Sequence, residues 1–415
     1  MRRFSFTVLL ILLLTLAGCG GRQADTSETP DAEFPTEEAQ EPEYRFLPTR
    51  EEREAAEKAA QENGVAEETP GAPDVSAVLN SLTLEQKVGQ LFFVRCAESG
   101  MAEKVARYHL GGVLLFTRDF KDADGNWLTK EDFVAKLAAM QNAAEKDSAI
   151  PLFIGSDEEG GTVTRASRNP NLFPDKSRSP QELYAVNGLN SILLDAAEKS
   201  YTLRELGINV NFAPVCDVST DPGDFIYERS LGRDAAETMA YVAGVVSVMR
   251  DSNIGSVLKH FPGYGNNADT HTGVAIDERP ISTFRNADFL PFLGGIRAGA
   301  PFVLVSHNIV NCMDAEYPAS LSPAVHEILR DELRFDGVAL TDDLAMDAVK
   351  AYAEDGSVAV LALLAGNDMI VTTDFETQIP QVLAAVADGT LDRSVIDAAC
   401  TRVLRAKLAL GLLGE

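Results

Sequence analysis

Eight short apolar runs recur along the chain, separated by amphipathic stretches with helical spacing. The runs are QLFFVR (90–95), GGVLLF (111–116), PLFIGS (151–156), NVNFAPV (209–215), SVLKHF (256–261), FVLVSH (302–307), GVALTD (337–342) and DMIVTT (368–373). Because they are continuously apolar and do not alternate, they predict parallel strands buried on both faces and covered by helices. Eight such units predict an α/β fold, a single (β/α)8 TIM-barrel domain over residues 74–415.

An open doubly wound sheet is the alternative arrangement of the same strands. That fold would place a glycine-rich dinucleotide-binding turn after its first strand, and no such turn follows residues 90–95. The glycine pair in DEEGG (157–161) does not have the required spacing. Ahead of the first run, Thr83 and Gln86 form a capping-box pattern, which predicts the start of a helix there.

The barrel prediction also gives the place of a functional site. Polar side chains at the carboxyl ends of barrel strands converge on one face of the molecule. Residues of this kind follow nearly every run, namely Arg95, Arg118, Asp157, Asp217, Lys259, His260, Ser306, His307, Asp342, Asp343 and Asp374. Any one of them could form a structural ion pair at the rim, but the whole set predicts a site at this face.

The residue types limit the chemistry of that site. Asp342, at the end of a rigid strand, could be a nucleophile, an electrostatic stabiliser or a metal ligand, and Asp157 has a similar position. We expect the carboxylates that follow Asp157, Glu158 and Glu159, to point elsewhere. Lys259 and His260 are suited to binding hydroxyl or acyl oxygens.

His271 differs from the other candidates because it lies in a Gly- and Asn-rich loop. Asp269, two residues earlier, can orient its imidazole and raise its pKa, as a proton donor requires; a solvated loop histidine is the alternative. Together with His260 and His307, His271 could also bind a catalytic metal. However, no His-x-His pattern ends the first strand and no histidine pair has helical i, i+4 spacing, so we predict neither a metal nor another cofactor.

The N-terminal residues have the pattern of a bacterial lipoprotein. Arg2 and Arg3 precede an apolar run, and LAGC (16–19) is a small-residue cleavage site that ends in cysteine. We expect residues 1–19 to be a signal peptide that ends at a lipidated Cys19; a plain secretory signal is the alternative. The apolar run is too short to span a bilayer comfortably, so the lipid would anchor the protein outside the cytoplasm, to a bacterial membrane.

Residues 20–73 predict an acidic, disordered tether. They contain six prolines and 15 acidic against five basic residues, with few large apolar side chains to form a core. The whole chain has a formal net charge of −27, of which −19 belongs to residues 74–415. This excess of negative charge argues against nucleic acid and anionic membrane surfaces as partners. It favours a neutral substrate or one bound in a locally basic pocket.

The cysteines of the predicted barrel show no paired spacing. Four are present, Cys96, Cys216, Cys312 and Cys400, and they are scattered along the chain. This distribution predicts neither a disulfide framework nor a zinc motif. We expect all four to be thiols packed in the core.

Five motifs together resemble a known family. KHFPGYG followed by DTHTG, GSDEEGGTVTR, IYERSLG, NFAPVCDV and GVALTDDLAMDAV are similar to sequences of family 3 glycoside hydrolases. The resemblance is greatest to the β-N-acetylhexosaminidase branch, which acts on cell-wall fragments. It extends over residues 78–415, with the motifs in the order that the family has.

The resemblance implies a role for each matched residue. Asp342 corresponds to the catalytic nucleophile, and His271 to the general acid/base, with Asp269 as its dyad partner. The residues that correspond to substrate contacts are Asp157, Arg165, Arg229, Lys259 and His260. The implied reaction has two steps and retains the anomeric configuration.

The chain departs from the family pattern at three positions. Glu158 stands where glutamine is usual, Thr162 where arginine is common, and Tyr264 where a histidine is found, so the fine substrate preference stays open. The resemblance implies an exo-acting lipoprotein that removes terminal β-linked GlcNAc from peptidoglycan fragments. The alternatives are a β-glucosidase or a phosphorylase of the same family, or a catalytically inactive sugar-binding lipoprotein.

Overall fold

The computed structural model of the protein describes residues 74–267, 275–346, 349, 352 and 357–414. Strands in these ranges are β1 (Phe92–Arg95), β2 (Gly112–Leu115), β3 (Phe153–Ser156), β4 (Val210–Asn211), β5 (Gly255–Phe261), β6 (Ile276–Asp277), β7 (Phe302–Val305), β8 (Ile309–Val310), β9 (Val338–Thr341) and β10 (Ile370–Thr372). Eight of them form one parallel sheet in the order β10-β1-β2-β3-β4-β5-β7-β9.

The two ends of this sheet meet, so it forms a barrel. Leu340 in β9 makes a parallel bridge with Met369, which directly precedes β10. The backbone N–H of Met369 also donates to the carbonyl of Ala339 at 3.1 Å. The predicted (β/α)8 barrel is confirmed: each apolar run coincides with one barrel strand to within a few residues, and the open-sheet alternative is wrong.

Helices cover the outside of the barrel between successive strands. The α-helices of at least five residues span Ser76–Ser81, Leu84–Gln90, Met101–Tyr108, Lys130–Ser148, Pro180–Glu205, Ala235–Asp251, Phe289–Arg297, Pro323–Glu327, Val358–Ala365, Phe375–Asp388 and Arg393–Ala409. Helix Pro180–Glu205 is interrupted at Asn187 and Gly188, whose dihedral angles are not helical. The capping box predicted at Thr83 is confirmed, because the Gln86 backbone N–H donates to the Thr83 hydroxyl at 3.2 Å.

The barrel interior is filled with phenylalanine rings. Phe93 in β1 is fully buried and lies between Phe153 and Phe212, with ring-centroid distances of 6.1 and 5.2 Å. A Cβ atom at Gly112 or at Gly155 would lie only 2.8 or 2.7 Å from the Phe93 ring. Glycines on β2 and β3 therefore make room for an aromatic side chain whose burial contributes about 1.5–3 kcal/mol to folding.

Several features were not predicted or fall outside the described residues. The parallel pair of β6 and β8 lies apart from the barrel, and its two-residue strands are too short to give a periodic signal. The signal peptide, the tether and the lipidated Cys19 lie outside the described residues and stay predictions. Over the described ranges, no helix has both the length and the apolar composition needed to cross a bilayer.

The four barrel cysteines do not share one environment. Cys96, Cys216 and Cys400 are buried thiols, as expected, and burial raises the pKa values of Cys96 and Cys400 to about 12. The prediction was wrong for Cys312, which is exposed because it follows β8, outside the barrel wall.

Candidate active site

A cavity of about 430 Å³ lies at the carboxyl ends of the barrel strands. Its volume is in the range of small-molecule sites. All eight barrel strands contribute to its lining, either by residues near their carboxyl ends or by those that directly follow. Its polar lining consists of Arg95, Asp157, Glu159, Arg165, Arg229, Lys259, His260, Asp342, Asp343 and Thr373.

The wall of the cavity contains a cluster of opposite charges around the almost completely buried Lys259. Its Nζ atom lies 2.8 Å from Oδ1 of Asp157 and 2.6 Å from Oε1 of Glu159. Burial by itself would lower the pKa of Lys259, but the two carboxylates outweigh that effect and raise it. The ammonium therefore stays charged in a place where an unpaired lysine would lose its proton.

Glu159 is held from its other side by Arg229. The guanidinium donates to both carboxylate oxygens, from Nε at 3.0 Å and from Nη2 at 2.8 Å. Burial acts to raise the pKa of Glu159, but Arg229 and Lys259 more than offset it and hold the pKa well below its usual range. The prediction that Glu159 points away from the site was wrong, because two cations draw this carboxylate into the cavity wall.

His260 has a defined tautomer in this arrangement. Its Nε2 atom lies 3.0 Å from Nη2 of Arg229, and a guanidinium can only donate. Nε2 therefore accepts, and the proton is on Nδ1, which lies 2.8 Å from Oδ2 of Asp217. The other oxygen of Asp217 accepts from the Tyr264 backbone N–H at 2.8 Å. Asp217 thus orients His260 from behind the cavity wall.

The loop that carries Arg165 is organised by Glu158. This buried carboxylate accepts from the backbone N–H groups of Arg165 and Ala166 at 3.0 and 2.8 Å, and from the Ser167 hydroxyl. The turn before the loop requires glycine, since Gly160 has a φ of 104° and its Cβ would lie 2.0 Å from a backbone oxygen. Unlike Glu159, Glu158 does not line the cavity, as expected, and its hydrogen bonds fix the backbone that carries Arg165.

Two adjacent aspartates follow β9. Asp342 and Asp343 both line the cavity, and the Asp343 backbone N–H donates to Oδ1 of Asp342 at 2.8 Å. Burial and the nearby Asp342 carboxylate raise the pKa of Asp343. His307 is fully buried behind this turn, with Nε2 3.1 Å from the Asp343 carbonyl and Nδ1 2.7 Å from the Ser320 hydroxyl. It supports the Asp343 backbone and does not line the cavity.

Six of the eight predicted catalytic and substrate-binding residues meet at this one cavity, namely Asp157, Arg165, Arg229, Lys259, His260 and Asp342. Asp269 and His271 lie outside the described residues. Of the residues expected at the strand ends, the lining does not include Arg118, Asp217, Ser306, His307 or Asp374. In the described part of the chain, no group of three or more His, Cys, Asp and Glu side chains could hold a metal ion.

Comparison with protein-family models assigns the barrel to a known family. The model of the glycosyl hydrolase family 3 N-terminal domain matches residues 83–406, which include every barrel strand and every described cavity residue. The chain belongs to glycosyl hydrolase family 3. It is therefore a glycoside hydrolase, and the predicted resemblance to this family is confirmed.

Several relatives and solved structures at about 30% identity have β-hexosaminidase or β-N-acetylglucosaminidase names. The chain is 31% identical over 338 residues to the β-hexosaminidase LpqI of Mycobacterium tuberculosis. The aligned region covers 79% of this chain and 83% of LpqI. The structure of a family 3 β-N-acetylglucosaminidase from Paenibacillus matches with a TM-score of 0.74 and 30% identity, over 81% of this chain and 64% of that one. The structure of a β-N-acetylhexosaminidase from Beutenbergia cavernae matches with a TM-score of 0.68 and 30% identity, over 79% of this chain and 98% of that one.

Proposed function

We propose that the protein is a retaining exo-β-N-acetylglucosaminidase that hydrolyses terminal β-linked GlcNAc from peptidoglycan fragments or related oligosaccharides. The observation that carries this proposal is the shared cavity of Asp342 and the Lys259 charge cluster. A nucleophile and a set of donors and acceptors for sugar hydroxyls are thereby available to one bound sugar. Relatives at about 30% identity that are named β-N-acetylglucosaminidase, β-N-acetylhexosaminidase or β-hexosaminidase support GlcNAc as that sugar.

The proposed reaction uses one nucleophile and one acid/base residue. Asp342 attacks the anomeric carbon while protonated His271 donates its proton to the departing glycosidic oxygen. In the second step, His271 removes a proton from water, which attacks the same carbon and releases Asp342. The roles of His271 and of Asp269, which would orient it, come from the family resemblance.

Substrate binding is assigned to the charged groups of the cavity. Lys259 and Arg165 would donate to sugar hydroxyls, and Asp157 would accept from them. Arg229 keeps Glu159 and His260 in place through its contacts at 2.8 and 3.0 Å. Because these groups pair with each other, they are oriented before the sugar binds, which lowers the entropy cost of binding.

The N-terminal segment supports a location outside the cytoplasm. We propose that Cys19 carries the lipid that anchors the protein to a bacterial membrane, with residues 20–73 as a tether. Cell-wall fragments are then the carbohydrate that the enzyme meets. Labelling cells with a radioactive fatty acid tests this: label is expected in the wild-type protein and not in Cys19→Ala.

The activity is tested with the full chain and two chromogenic substrates, a β-GlcNAc and a β-glucoside of the same leaving group. We expect the enzyme to hydrolyse the chromogenic β-GlcNAc substrate and to release GlcNAc in the β configuration, which NMR detects. Turnover of the glucoside alone would overturn the substrate assignment. Release of a sugar 1-phosphate when phosphate is added would identify a phosphorylase, and no turnover of either substrate would favour the inactive sugar-binding alternative.

A further inference from the structure

A hydrogen bond joins the two residues that enclose the His271 segment, by which we mean residues 268–274. Asn267 directly precedes this segment, and Asp277 follows it in β6. The side-chain amide of Asn267 donates from Nδ2 to Oδ2 of Asp277 at 2.7 Å. Asp277 is only 2% exposed, and a hydrogen bond in such surroundings is stronger than one in water. The two ends of the His271 segment are therefore held at a fixed separation.

Asp277 is itself held by Arg279. The guanidinium donates from Nε to Oδ1 of Asp277 at 3.0 Å and from Nη2 to Oδ2 at 2.7 Å, which is a bidentate contact. Its Nη1 atom donates to Oδ2 of Asp288 at 3.1 Å. Asp288 is buried and directly precedes the helix Phe289–Arg297, which covers the barrel. The carboxylate that accepts from Asn267 is thus fixed to the scaffold through a second ion pair.

The chain that enters the His271 segment is shaped to pack on these charged groups. Gly263 in the motif PGYG (262–265) has a φ of 123°, and a Cβ atom there would lie 2.6 Å from Oδ1 of Asp288. Gly265 has a φ of 53°, and a Cβ atom there would collide with the guanidinium of Arg279. Both positions therefore favour glycine for its conformation and for its small size. The motif brings the entering chain against the same cluster that holds the exit.

Both ends of the segment are also tied to the strands that carry the cavity. On the entering side, Asp217 accepts from the Tyr264 backbone N–H at 2.8 Å with the carboxylate that orients His260. On the exit side, β6 pairs with β8, and the Asn311 backbone N–H donates to the Asp277 carbonyl at 2.9 Å. The short strand pair outside the barrel is therefore a support for the end of the His271 segment.

The position of a proton donor strongly affects general acid catalysis. A donor has to come within roughly 2.6–3.2 Å of the atom that it protonates. A misplacement of about 1 Å can lower a rate by roughly 100-fold. His271 belongs to a segment whose ends are joined by the bond between Asn267 and Asp277, so a loss of this bond would act on the donor before it acts on the nucleophile Asp342, which follows β9.

We propose that Asn267 and Asp277 are positioning residues for His271, which act on proton donation by holding the two ends of its segment together. Arg279 and Asp288 fix Asp277 in the place where Asn267 meets it. This proposal rests on the proposed function, in which His271 is the acid/base residue.

The experiment measures kcat/KM on phenyl β-GlcNAc glycosides whose ring substituents vary the pKa of the leaving phenol. Full-length wild type is compared with Asn267→Ala, Asn267→Asp and His271→Ala, and with Asn266→Ala and Asn266→Asp as controls at the exposed neighbouring residue. We expect Asn267→Ala to lose roughly 10- to 100-fold on the unsubstituted phenyl glycoside, since a hydrogen bond to a carboxylate is lost. The loss on the dinitrophenyl glycoside should be small, because this leaving group needs no proton.

The charge variant and its control sharpen this expectation. Asn267→Asp should lose more than Asn267→Ala on the phenyl glycoside, because it places a second carboxylate opposite Asp277. Both Asn266 variants should match wild type. Circular dichroism establishes that each variant is folded; if Asn267→Asp does not fold, Asn267→Ala and Asn267→Gln, which introduce no charge, carry the comparison.

The double variant Asn267→Ala/His271→Ala shows whether Asn267 acts through the histidine. It should be no slower than His271→Ala alone, because the position of a donor that is absent has no effect. Losses that multiply would mean that Asn267 acts independently of His271. That result, an equal loss of Asn267→Ala on every glycoside, or no loss on any of them would overturn the proposal and leave the glycosidase.

Failure of the proposed function would give a different result. If the wild type hydrolyses none of the glycosides, the assignment as a β-N-acetylglucosaminidase is overturned. If His271→Ala loses no more on the phenyl glycoside than on the dinitrophenyl glycoside, His271 is not the acid, and the positioning role falls with that assignment.

Discussion

The Nζ atom of Lys259 lies 2.6 Å from Oε1 of Glu159, and this contact joins β5 to the turn after β3 in the floor of the cavity. Both side chains are almost completely buried, so neither charge is stabilised by solvent. Each therefore depends on the other, and Arg229 completes the set on the side of Glu159. The pair keeps a charged ammonium in the floor of the cavity, where it can donate to a sugar.

Glu159→Gln is expected to weaken both binding and stability. It leaves Arg229 without its bidentate carboxylate and removes one of the two anions that hold Lys259, and breaking a buried pair costs roughly 3–5 kcal/mol. We expect the free energy of unfolding to fall by up to about this amount and KM for a chromogenic β-GlcNAc to rise. Denaturant titration and steady-state kinetics measure the two effects. The exposed Glu198→Gln is the control, and equal behaviour of the two variants would contradict the role of Glu159.

The barrel and most of the cavity residues at the strand ends could be predicted from the sequence, because both follow from the local pattern of apolar and polar residues. Strands buried on both faces must be continuously apolar, and their carboxyl ends must meet. The orientation of Glu159 was not predictable in this way, since the turn after β3 has no strand alternation and the two cations that attract it come from distant segments. His307 was misplaced for the same reason: its partners, Ser320 and the Asp343 carbonyl, are set by tertiary contacts.

Glu158→Gln tests how the Arg165 loop is held. One amide oxygen replaces two carboxylate oxygens that accept from Arg165, Ala166 and Ser167, so the loop should lose part of its support. Because Glu158 does not line the cavity, we expect KM to rise several-fold while kcat changes less. A fall in kcat with an unchanged KM would show that Glu158 does not act by positioning the binding residue Arg165. Glu158→Asp, which keeps the charge, should recover part of the affinity.

The two adjacent aspartates after β9 are distinguished by substitution. Asp342→Asn should lower kcat by roughly 1,000-fold or more, because an amide cannot form the glycosyl intermediate. Asp343→Asn should lose clearly less, since its carboxylate contacts the backbone of its own turn and the Thr373 hydroxyl. A larger loss in Asp343→Asn than in Asp342→Asn would reverse the assignment.

The acid/base role of His271 predicts a dependence on the leaving group. His271→Ala should lose much more activity on a substrate with a poor leaving group than on a nitrophenyl glycoside, because only the former needs protonation. Azide should restore part of the turnover of the nitrophenyl substrate and yield a glycosyl azide. Full activity of His271→Ala on the poor leaving group would require a different acid.

A buried lysine at the opposite end of the barrel predicts a pH effect on stability. The Nζ atom of Lys407 lies 2.5 Å from Oε1 of Gln90 and 5.0 Å from the Phe153 ring centroid, and burial lowers its pKa to about 7. An unfolded lysine titrates near 10.5, so between pH 7 and 10.5 the unfolded chain binds one more proton than the folded chain. The free energy of unfolding therefore gains up to about 1.4 kcal/mol per pH unit from this group as the pH rises through that range.

Lys407→Met removes this proton linkage and keeps a side chain of similar length. At pH 7 the variant should gain stability relative to wild type, because no ammonium has to lose its proton on folding. The gain should shrink steadily towards pH 10.5 and stay constant below pH 7. Urea titrations at pH 6, 7, 8, 9 and 10 measure the difference in free energy of unfolding between the variant and wild type. The contributions of the other titrating groups cancel in this difference. A difference that does not change between pH 7 and pH 10 would mean that Lys407 keeps its proton in the folded barrel.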